Sequence, residues 1–317
     1  MDTSNSNPAP LARLPFHVLA KPFGAFCNLD CEYCFYLPKR ALFEGERGTP
    51  SRMDDATLEA FTRSYIESQP RGVSEMEFAW QGGEPTLAGL EFFERALELQ
   101  RRHARVGLAI RNSLQTNGTL LDDAWGTFLA ANKFLVGLSL DGPRELHDAY
   151  RVDHEGRPSF ERVMRGLKVL QRHEVEFNTL TVVHRANQAE PKRVYDFLVE
   201  SGSTFLQFIP LVEPPAETLG HGERSVEPAA YGAFLSRVLD RWLEREHVGR
   251  VFVRDIDSLL AATLDAPGAT CVTSRYCGRC VAIERSGDVF ACDHFVDWGH
   301  HLGNVREVGL APVVPRT

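Results

Sequence analysis

No apolar run in the 317 residues approaches the roughly 20 needed for a membrane-spanning helix. The polar, proline-containing start, Met1 to Pro10, has no apolar core of the kind a secretion signal requires. Positive charge is also short: 35 Lys and Arg face 43 Asp and Glu, a net charge of −8. That balance argues against nucleic acid as the main partner, because phosphate binding wants a basic surface. Neither a membrane nor a nucleic-acid partner is therefore expected. There is no internal repeat, no low-complexity tract, and no cysteine between Cys34 and Cys271. The seven cysteines fall instead into two groups, 27/31/34 and 271/277/280/292. Such clustering, with an odd total, fits metal or cluster ligation in a reducing cytoplasm better than disulfide pairing. The remaining composition, 43% hydrophobic and 25% charged, is that of a globular protein long enough to bury its own core.

The first cysteine group has the spacing C-x3-C-x2-C and no fourth member. Three thiolates this close can reach one 4Fe-4S cube, which ordinarily takes four cysteines, so one iron would be left open to bind a small molecule. Zinc, a redox pair and three unrelated buried thiols are the alternatives; structural zinc prefers four ligands, with cysteine pairs split by a longer gap. The spacing resembles the signature of the radical S-adenosylmethionine enzymes, where the open iron is chelated by the methionine amino and carboxylate groups.

Between the two groups, short β-branched or aromatic runs alternate with longer helical patterns. Strands are predicted at Phe16 to Lys21, Glu75 to Gln81, Leu108 to Gln115, Phe134 to Leu140, Glu176 to Val183 and Thr204 to Pro210. Helices are predicted at Asp55 to Ser68, Leu90 to His103, Asp123 to Ala131, Phe160 to His173 and Lys192 to Ser201. In the first of these, Leu58, Phe61, Tyr65 and Ile66 approximate the stripe of an amphipathic helix. Successive βα units imply an α/β fold with a parallel sheet, either open and doubly wound or part of a (β/α) barrel. In barrels the chemistry gathers at strand C-termini, and the unusual residues lie there: the cysteine loop, Gly82-Gly83-Glu84-Pro85, Thr116-Asn117-Gly118, and Ser139 to Gly142. Each also has a plainer reading. Paired glycines before a proline make a tight turn, although they also let backbone approach a ligand closely. Ser139 and Asp141 can bond ribose hydroxyls or cap the next helix, and Thr116-Asn117-Gly118 reads as a loop.

The run Ala20 to Leu37 around the three cysteines, with Ala79-Trp80-Gln81-Gly82-Gly83-Glu84-Pro85-Thr86, Ser139-Leu140-Asp141-Gly142-Pro143, His147 to Asp153, Phe177 to Val183 and Cys292-Asp293-His294-Phe295-Val296, resembles the anaerobic sulfatase-maturating enzymes. The resemblance covers roughly residues 14 to 310. It implies a partial (β/α)6 barrel of the radical S-adenosylmethionine type followed by a SPASM-type cluster module. It also implies an oxidoreductase activity, in which a cysteine or serine of a sulfatase is oxidised to Cα-formylglycine. Carried over by position, Cys27, Cys31 and Cys34 would bind the S-adenosylmethionine cluster, while Tyr33, Gly83, Ser139, Arg151 and Leu211 would contact S-adenosylmethionine. An arginine fork suits a carboxylate; without the resemblance Arg151 reads equally as a solvated residue and Leu211 as core. Asp293 matches the general base, a role a carboxylate near the substrate thiol can fill, though an aspartate after a strand is ordinarily a turn residue. His294 is read as structural. A flavodoxin or ferredoxin is the implied electron donor.

Cys271, Cys277 and Cys292 match three ligands of an auxiliary 4Fe-4S cluster, with a hairpin over Val281 to Phe290 between the last two. The family's fourth ligand, and a second auxiliary cluster, come from a cysteine-rich C-terminal segment, whereas this chain stops at Thr317. The module is therefore expected to be incomplete, with Cys280 a substitute ligand, the cluster left three-coordinate or unassembled, or zinc bound by the four thiols instead. The expected division is a flexible leader at 1–13, the radical barrel at 14–212, a loop and helical connection at 213–265, and the incomplete module at 266–317. Val212 to Pro228 reads as a surface loop or a linker to a helix at Ala229 to Glu246. A radical maturase of another ribosomal peptide, and an inactive cluster-containing fragment that only binds peptide, are the competing functional readings.

Overall fold

The computed structural model describes residues 12, 14–43, 51–213, 222–264, 266 and 279–313. The expected leader apart from Ala12, the centre of the Val212 to Pro228 loop, and both Cys271 and Cys277 lie outside the described residues. In chain order the elements are β1 (His17–Ala20), α1 (Arg40–Phe43), α2 (Asp55–Ser68), β2 (Glu75–Trp80), α3 (Leu90–His103), β3 (Ala109–Thr116), α4 (Asp123–Ala131), β4 (Leu135–Ser139), α5 (Arg144–His147), α6 (Phe160–Arg172), β5 (Phe177–Val183), α7 (Pro191–Glu200), β6 (Phe205–Pro210), α8 (Pro228–Glu244), β7 (Phe252–Val253), α9 (Arg254–Thr263), β8 (Cys280–Ile283), β9 (Asp288–Phe290) and β10 (His301–Asn304). All six predicted strands and all the predicted helices are present. Among the described residues no helix is long and apolar enough to cross a membrane.

The chain divides into two compact units, and β3 runs from the first into the second. The first holds residues 1–26, 39–113 and 278–317, the second 27–38 and 114–277. Strand order in the first is β10-β9-β8-β1-β2-β3. There β1 pairs in parallel with β2 on one side and with β8 on the other, Val18 facing Phe78 and Val281. The predicted hairpin is β8 with β9, antiparallel; its parallel docking on β1 had no signal in the sequence. Asp54 caps α2, its carboxylate accepting the Thr57 N–H at 2.7 Å, as N-cap residues do. The predicted stripe Leu58, Phe61, Tyr65 and Ile66 is buried. Phe61, Tyr65, Phe78, Trp80, Phe92 and Phe93 form a connected aromatic cluster, each worth about 1.5–3 kcal/mol of burial. The Trp80 indole N–H donates to Asn112 Oδ1 at 2.8 Å, so the largest buried ring leaves no polar atom unsatisfied.

In the second unit the order is β3-β4-β5-β6-β7, with β4, β5, β6 and β7 successively parallel. Its core gathers Leu138 and Leu140 from the β4 end, Val163 and Leu167 from α6, Val194 and Leu198 from α7, Phe208 from β6 and Phe234 from α8. Position 166 on α6 must be glycine, because a Cβ there would lie 2.1 Å from the Gly118 carbonyl oxygen. That helix therefore presses directly on the loop leaving β3. Gly166→Ala is expected to cost about 1–3 kcal/mol, the penalty for forced overpacking, read as a lower midpoint in denaturant unfolding; an unchanged midpoint would show that the contact is slack.

Candidate active site

Cys27, Cys31 and Cys34 lie in one irregular loop of the second unit, all half-buried and none in a disulfide. Without helix or strand, the loop is held by hydrogen bonds. The Asp30 N–H donates to the Val152 carbonyl, the Glu32 N–H to the Tyr150 carbonyl and the Cys34 N–H to the Cys31 carbonyl. Sulfur receives donors too: the Leu29 N–H at 3.3 Å and Asn117 Nδ2 at 3.6 Å on Cys27, and the Leu37 N–H at 3.4 Å on Cys34. N–H groups aimed at sulfur suit thiolate ligands of an iron–sulfur cluster, so the donor set fits that group. Burial pushes the Cys31 thiol up to about 11, with the Arg151 guanidinium pulling the other way. Among the described residues no three His, Cys, Asp or Glu side chains converge as a single metal ion would require.

Beside the loop, at the end of β4, Asp141 has no exposed surface. Its Oδ2 accepts from Arg151 Nε at 2.8 Å and from the Tyr33 hydroxyl, and its Oδ1 accepts from Arg151 Nη2 at 3.2 Å and from the Val182 N–H at 2.9 Å. Burial pushes this carboxyl up, but Arg151 foremost, with the neighbouring histidines, pulls it down, and the net shift is downward. Burial likewise opposes the charge on Arg151, and Asp141 foremost, with Tyr33 and Cys31, more than restores it. Asp141 is therefore not a helix cap; the N-terminus of α5 follows Pro143 and has no side-chain cap. Arg151 also stands over the Tyr33 ring, 5.4 Å from its centroid.

Two buried histidines border this pair. The Asp141 N–H donates to His147 Nδ1 at 3.3 Å, and Ser159 gives its hydroxyl proton to the Arg151 carbonyl at 2.7 Å, so Ser159 Oγ accepts from His147 Nε2 at 3.0 Å. These partners fix the neutral Nε2–H tautomer. Burial, helped by Arg151, lowers His147 to about 3. His184 packs against Tyr33 and Tyr150, and its ring nitrogens have no hydrogen-bond partner among the described residues.

In the first unit, Lys21 follows β1 with 1% of its side chain exposed and forms an ion pair with Asp293 Oδ1, while Gln81 Nε2 donates to Asp293 Oδ2 at 3.1 Å. Gly83 sits against Phe26: its own N–H donates to the Gly24 carbonyl at 2.8 Å, and a Cβ would fall 2.0 Å from the Phe26 oxygen. Backbone packing thus demands this glycine. Cys280 opens β8 and Cys292 follows β9. His294 accepts from Lys39 through its carbonyl.

Of the residues singled out in the sequence, the second unit brings together Cys27, Cys31, Cys34, Tyr33 and Arg151. Ser139 accepts from Gln115 at 3.1 Å, and Leu211 is a buried side chain whose amide and carbonyl pair with Val183 and Val226. Sequence reasoning missed Asp141 as the hub, Lys21 and Gln81 as partners of Asp293, and Asn117 as a donor to sulfur. All lay inside quoted motifs, but no spacing rule links residues 272 apart such as Lys21 and Asp293.

The sequence pattern of the Radical SAM superfamily matches residues 22–198. Over 306 residues the chain is 42% identical to a serine-type anaerobic sulfatase-maturating enzyme of Klebsiella aerogenes, a match spanning 96% of this chain and 73% of that one. A cysteine-type anaerobic sulfatase-maturating enzyme of Clostridium perfringens is 40% identical over 299 residues, 93% of this chain and 79% of the relative. Among solved structures, native anSMEcpe with bound AdoMet and Cp18Cys peptide superposes with a TM-score of 0.81 at 38% identity, covering 94% of this chain and 80% of that chain.

The depressed His147 has a consequence for stability. The unfolded chain takes up a proton near pH 6.5, which the folded chain refuses until about pH 3. Stability from this group is thus complete above pH 6.5 and declines below it, by about 1.4 kcal/mol per pH unit. His147→Gln should reduce the pH dependence of unfolding free energy by that slope between about pH 6 and 4, measured by denaturant titration at several pH values; an unaltered slope would contradict the buried neutral imidazole.

Proposed function

The chain belongs to the radical SAM superfamily and, within it, to the anaerobic sulfatase-maturating enzymes, and on that premise we propose that it oxidises an active-site cysteine or serine of a sulfatase to Cα-formylglycine. The observation that carries this reading is the reach of the likeness, 42% identity across 96% of the chain. When bound, a 4Fe-4S cluster with S-adenosylmethionine supplies the one-electron chemistry that removes a hydrogen atom from the target Cβ.

The protein's part is to hold, orient and take a proton. Cys27, Cys31 and Cys34 would hold the cluster. Tyr33, Gly83, Ser139, Arg151 and Leu211 are assigned to S-adenosylmethionine, with Nη1 the part of the Arg151 fork not committed to Asp141. Asp293 takes the proton from the target Sγ or Oγ. Lys21 and Gln81 each engage one of its oxygens, which fixes the carboxylate plane, as general-base geometry requires. Loss of the Cβ hydrogen atom, this proton and one further electron leaves an aldehyde from serine or a thioaldehyde from cysteine; water then converts the thioaldehyde to the aldehyde with release of hydrogen sulfide.

Residues 14–212 are assigned the radical chemistry, 213–265 the connection, and 266–317 the incomplete module, in which Cys271, Cys277 and Cys292 would hold an auxiliary 4Fe-4S cluster; such a cluster, when bound, would supply one-electron redox capacity. A flavodoxin or ferredoxin is the proposed electron donor, and the cytoplasm the proposed compartment.

The test is an anaerobic incubation of the reconstituted protein with dithionite, S-adenosylmethionine and a sulfatase peptide carrying Cys-x-Pro-x-Arg. 5′-Deoxyadenosine together with an aldehyde-mass product is expected; deoxyadenosine without the product would direct the chemistry to another peptide. Asp293→Asn should lower aldehyde formation by about 10² or more, the usual worth of a general base, while deoxyadenosine still forms. Full aldehyde yield from that variant would remove Asp293 from the mechanism.

A further inference from the structure

We propose that Asn117, in the loop after β3, is a positioning residue for Cys27 and raises the reduction potential of the cluster that Cys27, Cys31 and Cys34 hold. The geometry assigns its amide without ambiguity. Asn117 Oδ1 accepts from the Thr119 backbone N–H at 2.9 Å, and a backbone N–H can only donate, so the oxygen must face Thr119 and Nδ2 must face away. One Nδ2 hydrogen then goes to Asn28 Oδ1 at 2.9 Å and the other to Cys27 Sγ at 3.6 Å. The arrangement closes on itself: Asn28 Nδ2 donates to Thr119 Oγ1 at 2.8 Å, and the Thr119 hydroxyl donates to Asn117 Oδ1 at 2.7 Å. Every donor and acceptor in this ring of three side chains has one permitted direction, and the ring ends on sulfur.

The loop carrying the ring is held firmly. The Gly118 N–H donates to Thr116 Oγ1 at 3.0 Å, a Cβ on Gly118 would fall 2.4 Å from Leu138 Cδ1, and the Gly118 carbonyl abuts Gly166. Asn117 itself is 8% exposed, so water does not readily replace its N–H at the sulfur. Reduction adds one electron to the cluster and its thiolates, and an N–H dipole fixed on a ligand sulfur stabilises that added charge; hydrogen bonds to sulfur are among the determinants of cluster potential. The ring therefore makes electron entry easier at Cys27.

The inference rests on the cluster assignment and is independent of the sulfatase substrate. The reconstituted full chain would be titrated anaerobically with dithionite and the reduced cluster followed by electron paramagnetic resonance. The signal that changes on adding S-adenosylmethionine identifies the cluster in the N-terminal loop. Asn117→Leu removes the donor, and Asn117→Asp keeps the shape while presenting an oxygen to sulfur; both should shift the midpoint to more negative potential, the aspartate further. Thr119→Val keeps the Thr119 backbone N–H that aims the amide and should stay close to the parent. An unchanged or more positive midpoint in both Asn117 variants overturns the proposal, as does an equal shift in Thr119→Val, which would trace the effect to loop shape. Failure of both Asn117 variants to retain iron also overturns it, since tuning requires that the three cysteines alone suffice for retention. A parent protein that holds no cluster would strike the cluster assignment itself.

Discussion

A carboxylate with no exposed surface cannot keep its charge without partners, and the second unit is arranged around that requirement at Asp141. Its two oxygens collect the Arg151 fork, the Tyr33 hydroxyl and the Val182 N–H. Breaking a buried pair by removing one partner ordinarily costs about 3–5 kcal/mol, so these groups are not free to drift. Tyr33 belongs to the cysteine loop, Arg151 to the stretch after α5 and Val182 to β5. One side chain at the end of β4 therefore fixes the loop that has no secondary structure of its own. A buried ion pair is weak evidence for stability; what it supplies here is position.

The first unit uses the same device at a different place. Lys21, almost wholly enclosed, is answered by Asp293, and its backbone N–H extends the β1–β8 pairing by donating to the Ile283 carbonyl at 2.9 Å. The register of β8 on β1 thus brings the turn after β9, with Cys292 and Asp293, to the end of β1. Gln81, one residue past β2, completes the carboxylate's partners. Parallel pairing places these strand ends side by side, which is why residues far apart in sequence meet there.

What the sequence made legible follows from local physics. The short β-branched or aromatic runs and the helical stripes predicted the six strands and the principal helices, and three closely spaced cysteines marked the loop. What it concealed depends on partners distant in the chain. Asp141 reads equally as a cap or a ribose ligand until Arg151 and Val182 are seen on its oxygens. Gly83 is required by the Phe26 carbonyl lying against its Cα, a demand identical in sequence to that of a close ligand. Two-residue β7 has no periodicity to detect. The Leu259 and Leu260 face of α9 is exposed, so that helix shows no clean division between buried and solvated positions. Asn117 sat in a Thr-Asn-Gly run whose turn chemistry fully accounts for its composition, and only the direction of its amide distinguishes it.

The buried histidines complete the electrostatic argument. His184 Nε2 lies 3.9 Å from Asp141 Oδ2, close enough that a proton on its ring would compete with Arg151 for the same carboxylate. Burial lowers both His184 and His147, and Arg151 pushes each further in the same direction against the pull of Asp141. Both rings are thus kept neutral, and one negative carboxylate is left with one positive guanidinium. Neither ring nitrogen of His184 has a hydrogen-bond partner among the described residues. With both histidines neutral, the geometry around Tyr33 and the cysteine loop is set by the single Asp141–Arg151 charge pair.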